Sequence, residues 1–130
     1  MRLLVVFLCS MVLGSARAEP AMTDAVNALR HAAGLPKLAA DVTLAAAASF
    51  HAAYLDRHRA PSDSAPAGSS PGSAHRQQLG RTGFSGETPA ARAIAAGYAH
   101  RRVLENVSMG YADTSAALDG LMTAVYHRLT

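Results

Sequence analysis

The sequence predicts one mainly helical domain with little strand, and three observations carry that reading. Leu44, Ala48, His51 and Leu55 recur at spacings of four, three and four, and Leu118, Leu121, Met122, Val125 and Leu129 repeat the same period. Both patterns are apolar stripes of amphipathic helices. Capping residues (Asp41, Thr88, Asp113) precede helical segments and Gly34 and Gly97 follow them, while only Val103 to Met109 reads as extended, either strand or coil.

The first segment is expected to stand outside that domain. Arg2 precedes an apolar run from Leu3 to Leu13, broken only by Cys9 and Ser10, and Ala16-Arg17-Ala18 closes it with small residues two apart. These are the basic, apolar and small-residue regions of a secretory leader, residues 1–18, with cleavage expected between Ala18 and Glu19. The apolar run is about half the roughly 20 residues that span a bilayer, so no permanent membrane anchor is expected. Cys9 follows Val6-Phe7-Leu8 rather than small residues, which argues against a lipid attached there. The expected location is therefore secreted or periplasmic.

Leader removal changes the composition. The 130 residues become 112, and the 12 basic residues lose Arg2 and Arg17, leaving 10 against 9 acidic and a net charge of +1. No face gathers Lys and Arg as nucleic-acid binding requires. The single cysteine, Cys9, also leaves, so the domain uses no disulfide and depends on burial alone.

Within residues 19–130, Thr23 is placed to cap a first helix to about Ala33, with Val26 and Leu29 on one face and Gly34-Leu35-Pro36 as its stop. Asp41 caps a second helix, Val42 to about His58, in which Ala45 to Ala48 favour helix strongly. Residues 60–74 are Ser, Pro, Gly and Ala with one Asp, which predicts an exposed loop that adds nothing to the core. Thr88-Pro89 read as N-cap and first residue of a short third helix with Ile94 on its apolar side. Asp113 or Thr114 opens the last helix, which Gly120 weakens by about 1 kcal/mol relative to Ala. The apolar stripe runs on to Leu129 without a C-terminal cap, which predicts a domain cut short at residue 130.

No Gly-x-Ser-x-Gly elbow, His-Glu-x-x-His helix, Cys-His pair or glycine-rich phosphate loop is present. Six histidines are the one unusual feature. His51 lies on an apolar stripe and reads as a satisfied core histidine. His31, His58 and His100 stand beside Arg or at element ends and read as surface residues. His75, Glu105 and His127 each fall at a loop or helix end, where scaffolds place working groups, and two imidazoles with a carboxylate suit a zinc-like ion or proton transfer. Their separations of 30 and 22 residues match no short metal-ligand interval, so spacing alone leaves them as unrelated polar residues. Asn106-Val107-Ser108 is a glycosylation triplet of the kind that arises by chance.

The order of several short motifs gives more. Val26-Asn27-Ala28-Leu29-Arg30, Ala33-Gly34-Leu35-Pro36-Lys37-Leu38 and Asp41 are followed by Leu44-Ala45-Ala46-Ala47-Ala48 and His51-Ala52. Gly83-Phe84-Ser85-Gly86, Thr88-Pro89, Arg92-Ala93 and Ala96-Gly97-Tyr98 come next, then Glu105-Asn106-Val107 with Gly110, and Tyr126-His127-Arg128. In this order they resemble the bacterial branch of the CAP superfamily, or SCP domains (cysteine-rich secretory, antigen 5 and pathogenesis-related proteins), over nearly the whole exported chain. The resemblance implies an α+β fold, a CAP-type α-β-α sandwich of which this chain covers mainly the helical N-terminal part. It also implies a cleft of histidines and acids, in which His75 is like the first cleft histidine, Glu105 like the Glu-Asn acid and His127 like the His-Arg residue. Leu104 stands where the family usually has Gly, and the later strands with a further cleft histidine would follow residue 130.

From these features the expected function is a secreted or periplasmic binding module for a small lipid, peptide or cell-surface component. The enzyme alternative is a hydrolase in which His75, Glu105 and His127 hold a divalent cation such as zinc, with His75 and His127 as the metal ligands, and activate water. A further alternative is a shortened product without activity of its own.

Overall fold

The computed structural model describes residues 5–9, 18–58 and 74–124, with backbone alone for 5–9 and 18–21. Six elements follow in order: β1 (Val5–Cys9), α1 (Ala18–Ala32), α2 (Val42–His58), α3 (Pro89–Ala95), β2 (Leu104–Ser108) and α4 (Thr114–Thr123). The expected helical character holds, as does the extended piece, which is β2.

Helix α1 starts at Ala18, five residues before the expected cap at Thr23. Pro20 is tolerated because first-turn amides have no intrahelical acceptor to lose. The buried positions are Met22 and Val26, one turn apart, whereas Leu29 is exposed. At its far end Gly34 adopts φ 70, and the Gly34 and Leu35 amides donate to His31 and Arg30 carbonyls at 3.0 and 2.8 Å. This is a Schellman stop, and only a residue without Cβ enters that backbone region freely. The segment that follows is stitched back onto α1. Asn27 Nδ2 donates to the Leu38 carbonyl (3.1 Å), its Oδ1 accepts from the Leu38 amide (2.8 Å), and Arg30 Nε donates to the Pro36 carbonyl (2.9 Å).

Asp41 opens α2 as its cap, with Oδ1 accepting from the Thr43 hydroxyl, the Thr43 amide and the Leu44 amide at 2.6, 2.9 and 3.2 Å. The Thr43 hydroxyl first, then the backbone donors, hold its carboxyl below the usual range. Leu44, Ala47, Ala48, His51 and Tyr54 form the buried side of α2. Helix α3 has Thr88 as N-cap and ends where the Gly97 and Tyr98 amides bond Ile94 and Ala93 carbonyls, both at 2.9 Å. Ile94, expected inside, is exposed, and the buried residues of α3 are Arg92 and Ala93.

Helix α4 is capped by Asp113 and ends at Thr123, with Ala124 extended, although its apolar pattern runs further. Thr123 Oγ1 donates to the Gly120 carbonyl at 2.7 Å, a side-chain bond of the kind that competes with the helical ladder. Val125, Leu129 and His127 lie outside the described residues. Gly120 has a positive use here, because a Cβ would overlap the Tyr111 hydroxyl and ring lying across the helix.

Two apolar clusters result. One joins α1 and α4 through Met22, Val26, Ala117 and Leu118. The other joins α2, α3 and β2 through Leu44, Ala48, Ala93 and Val107, and includes Ala74. Ala74 therefore corrects the expectation that the whole of 60–74 is exposed: its methyl is small enough to sit beneath α2 while its carbonyl meets His51. Strand β2 pairs in parallel with β1, Val5 opposite Leu104 through Cys9 opposite Ser108. Asn106, Val107 and Ser108 are all buried, as a strand covered on both faces requires. Asn106 is thus closed to a glycan within the fold.

Candidate functional site

The site is assembled on β2. Glu105 extends from that strand with its side chain 4 % exposed, and both carboxylate oxygens are engaged. Oε1 accepts from Arg92 Nη2 at 2.7 Å, and Oε2 accepts from His75 Nδ1 at 3.0 Å. An isolated carboxylate at this depth would be costly, and the buried guanidinium of Arg92 compensates it.

Arg92 is itself fixed by backbone. Its Nη1 donates to the carbonyls of His75 (3.3 Å), Gly86 (3.3 Å) and Glu87 (3.2 Å). The Gly86 contact needs glycine, since φ is 151 and a Cβ would lie 2.7 Å from the Arg92 amide nitrogen and 2.9 Å from the Ala91 carbonyl carbon. The 83–89 motif therefore lays its backbone against the start of α3, so that one arginine side chain ties loop, helix and strand together.

A second network sits behind His75. Ser85 donates its amide to Gln77 Oε1 (2.7 Å), and Gln77 Nε2 donates to His51 Nδ1 (3.0 Å). His51 Nε2 then donates to the Ala74 carbonyl (2.8 Å). The backbone donor at Ser85 and the backbone acceptor at Ala74 settle the direction of this chain, so His51 is neutral with its proton on Nε2. Its Nε2 is 3.9 Å from Glu105 Oε2, too far to share that proton. Burial first, then the nearby Arg92 charge, lower its basicity below the ordinary 6.5. Gln77 also donates its amide to the Glu87 carbonyl (3.0 Å), and the Gln78 amide reaches the Tyr54 hydroxyl (2.9 Å). Arg76 pairs with Glu87 on the outside of the same loop.

The consequence is a histidine held on one side and open on the other. His75 has its carbonyl on Arg92, its preceding carbonyl on His51 and its Nδ1 on Glu105, yet its side chain is 40 % exposed. Among the described residues Nε2 of His75 has no hydrogen-bond partner. Such a ring presents one nitrogen of defined aim for a hydrogen bond, a proton or a metal. A small cavity beside the Arg92–Glu105 pair, about 10 Å³ and near the size of one water, is lined by Leu44, Ala47, Ala48, Pro89, Ala93 and Val103 together with those two charged residues.

Of the three residues singled out in the sequence, the structure brings His75 and Glu105 together, while His127 lies outside the described residues. Among the described residues no group of three or more His, Cys, Asp or Glu side chains is placed to hold a metal. Each Glu105 oxygen accepts one of these hydrogen bonds, and through Oε2 the carboxylate orients His75. Sequence reasoning did not assign site roles to Arg92 and Gln77. Arg92 stands in an alanine-rich helix that reads as solvent-facing, and Gln77 in a loop of polar residues. His31 and His100 are exposed, and His58 is half-buried, with its ring against Tyr54 and Nε2 on the Thr82 carbonyl.

A family model described as CAP, the cysteine-rich secretory protein family, matches residues 23–130. No curated protein and no solved structure matches the chain. Among the described residues no helix is long and apolar enough to cross a membrane.

Proposed function

Since the chain belongs to the CAP, or cysteine-rich secretory protein, family, we propose that it is a secreted or periplasmic binding module whose contact point is His75. The observation that carries this reading is the half-open imidazole: Nδ1 is fixed by Glu105, and the remaining nitrogen is in an exposed ring. A polar group of fixed orientation is how a binding site sets a ligand's position. The ligand class is a small lipid, a peptide or a cell-surface component, and no reacting nucleophile supports turnover. Histidine-selective NMR of the full chain tests this, with phosphatidylglycerol vesicles, a pool of short extended peptides and cell-wall fragments as probes. The His75 Nε2 signal should move with one probe, and His75→Ala should lose binding at least tenfold. Binding unchanged in that variant would remove His75 from the site.

The second reading, a divalent metal on His75 and His127, draws on the same hydrogen bond. A carboxylate on one imidazole nitrogen aims and strengthens the other as a metal ligand. The described residues fit that role in part, supplying one ligand and its orienting carboxylate. A bound ion would contribute Lewis acidity toward water. Zinc calorimetry with a His127→Ala control decides this reading; no binding, or equal binding in the variant, sinks it.

A further inference from the structure

The leader segment carries a feature that its targeting role does not explain. Its apolar core forms β1, the parallel neighbour of β2, and α2 packs against it. Val-Val-Phe is a sequence with high strand propensity, so the local chemistry favours this conformation. The scissile pair expected from the sequence, Ala18 and Glu19, lies in the first turn of α1. That helix is in turn docked on α4 through Met22 and Val26 against Ala117 and Leu118.

Both parts of the leader that a processing enzyme needs are thereby engaged. Targeting requires the apolar core to be free. Cleavage requires an extended segment around the scissile bond, because peptide grooves commonly take substrates as an added strand. Proteolytic nicking concentrates where backbone is exposed and unpaired, and a docked helix end must open first.

We propose that the slot formed by β2 and α2 is an internal acceptor for the leader's Val5–Cys9, and that its occupation withholds the leader from cleavage once the intact chain has folded. Folding and processing then compete, and the order of events decides whether the chain keeps or loses β1. The proposal rests on reading residues 1–18 as a leader.

The test uses the full chain and detergent-solubilised leader peptidase, with the cut located by mass spectrometry. Cleavage after Ala18 should be at least tenfold faster in chain freshly diluted from urea than in refolded chain. Amides of 5–9 and 104–108 should be protected from hydrogen exchange in the refolded chain. Of Asn106→Pro and Val107→Pro, the one whose amide faces β1 should raise native-buffer cleavage toward the unfolded rate although both lie far from the cut; successive strand amides alternate sides, so one of the two does. Lys37→Ala, on the surface, should leave the rate unchanged. Equal rates for folded and unfolded wild type overturn the proposal alone. No cut after Ala18 in either form overturns the leader reading and the proposal with it.

Discussion

Glu105 and Arg92 are each buried because the other is there. Removing one leaves an uncompensated charge in a low-dielectric site, which costs more than the pair contributes. Arg92→Ala should therefore destabilise the chain by about 3–5 kcal/mol in urea unfolding, more than most single substitutions. Arg92→Lys should rescue only part of this, because an ammonium cannot span Glu105 and three carbonyls with a planar fork. His51 makes a prediction of a different sign. Its basicity is lowered in the fold by burial and by Arg92, so the unfolded chain binds a proton more readily. The stability it contributes is present above about pH 6.5 and is lost as the pH falls below that value. The urea midpoint should fall from pH 7.5 to pH 5, and His51→Gln should flatten that slope. At this scale His75 and Glu105 were legible as candidates, but only a resemblance linked them across 30 residues. Their partners were hidden because arginine and glutamine are ordinarily surface residues, and only packing reveals an exception.

The helices were more legible than the site because their ends are written in local chemistry. Asp41, Thr88 and Asp113 act as caps, and Gly34 and Gly97 as stops, through bonds within a few residues. Asp41→Ala should cost about 1 kcal/mol, read as a shift in the denaturation midpoint. The faces were less legible in short elements. Helix α3 has seven residues, so one Ile cannot define a stripe, and Arg92 with Ala93 turned inward instead. Gly120 reverses a propensity argument. Replacing it with Ala would gain about 1 kcal/mol in an isolated helix, yet the new methyl must displace the Tyr111 ring, and overpacking of that kind costs about 1–3 kcal/mol. Gly120→Ala should therefore be neutral to destabilising in a thermal melt, while Gly120→Ala with Tyr111→Leu should recover the gain.

Among the described residues, one apolar cluster joins α1 to α4 and another joins α2, α3 and β2, where the site lies. Their separation predicts separable responses. Leu118→Ala should lower hydrogen-exchange protection in α1 and α4 and leave the His75 resonance in place. Leu44→Ala should shift that resonance and cost about 2–5 kcal/mol. A matching loss across both regions from either change would show a single cooperative unit. The mainly helical composition of both regions was readable from periodicity. The pairing of β1 with β2 was not, because the same apolar run satisfies a leader and a buried strand equally well.

The two carbonyls around His75 set a boundary along the chain. Ala74 follows the Ser, Pro and Gly stretch, and its carbonyl and that of His75 are held by His51 and Arg92. The aim of the imidazole is set by Glu105 and Arg92 downstream and by His51 on α2. By its Ser, Pro and Gly composition, the tract between His58 and Ala74 is a place where added residues should be tolerated. A spectroscopic tag, an affinity peptide or a longer spacer placed there should leave the His75–Glu105 contact intact, whereas a single residue added between Ala74 and Gln77 should dismantle it.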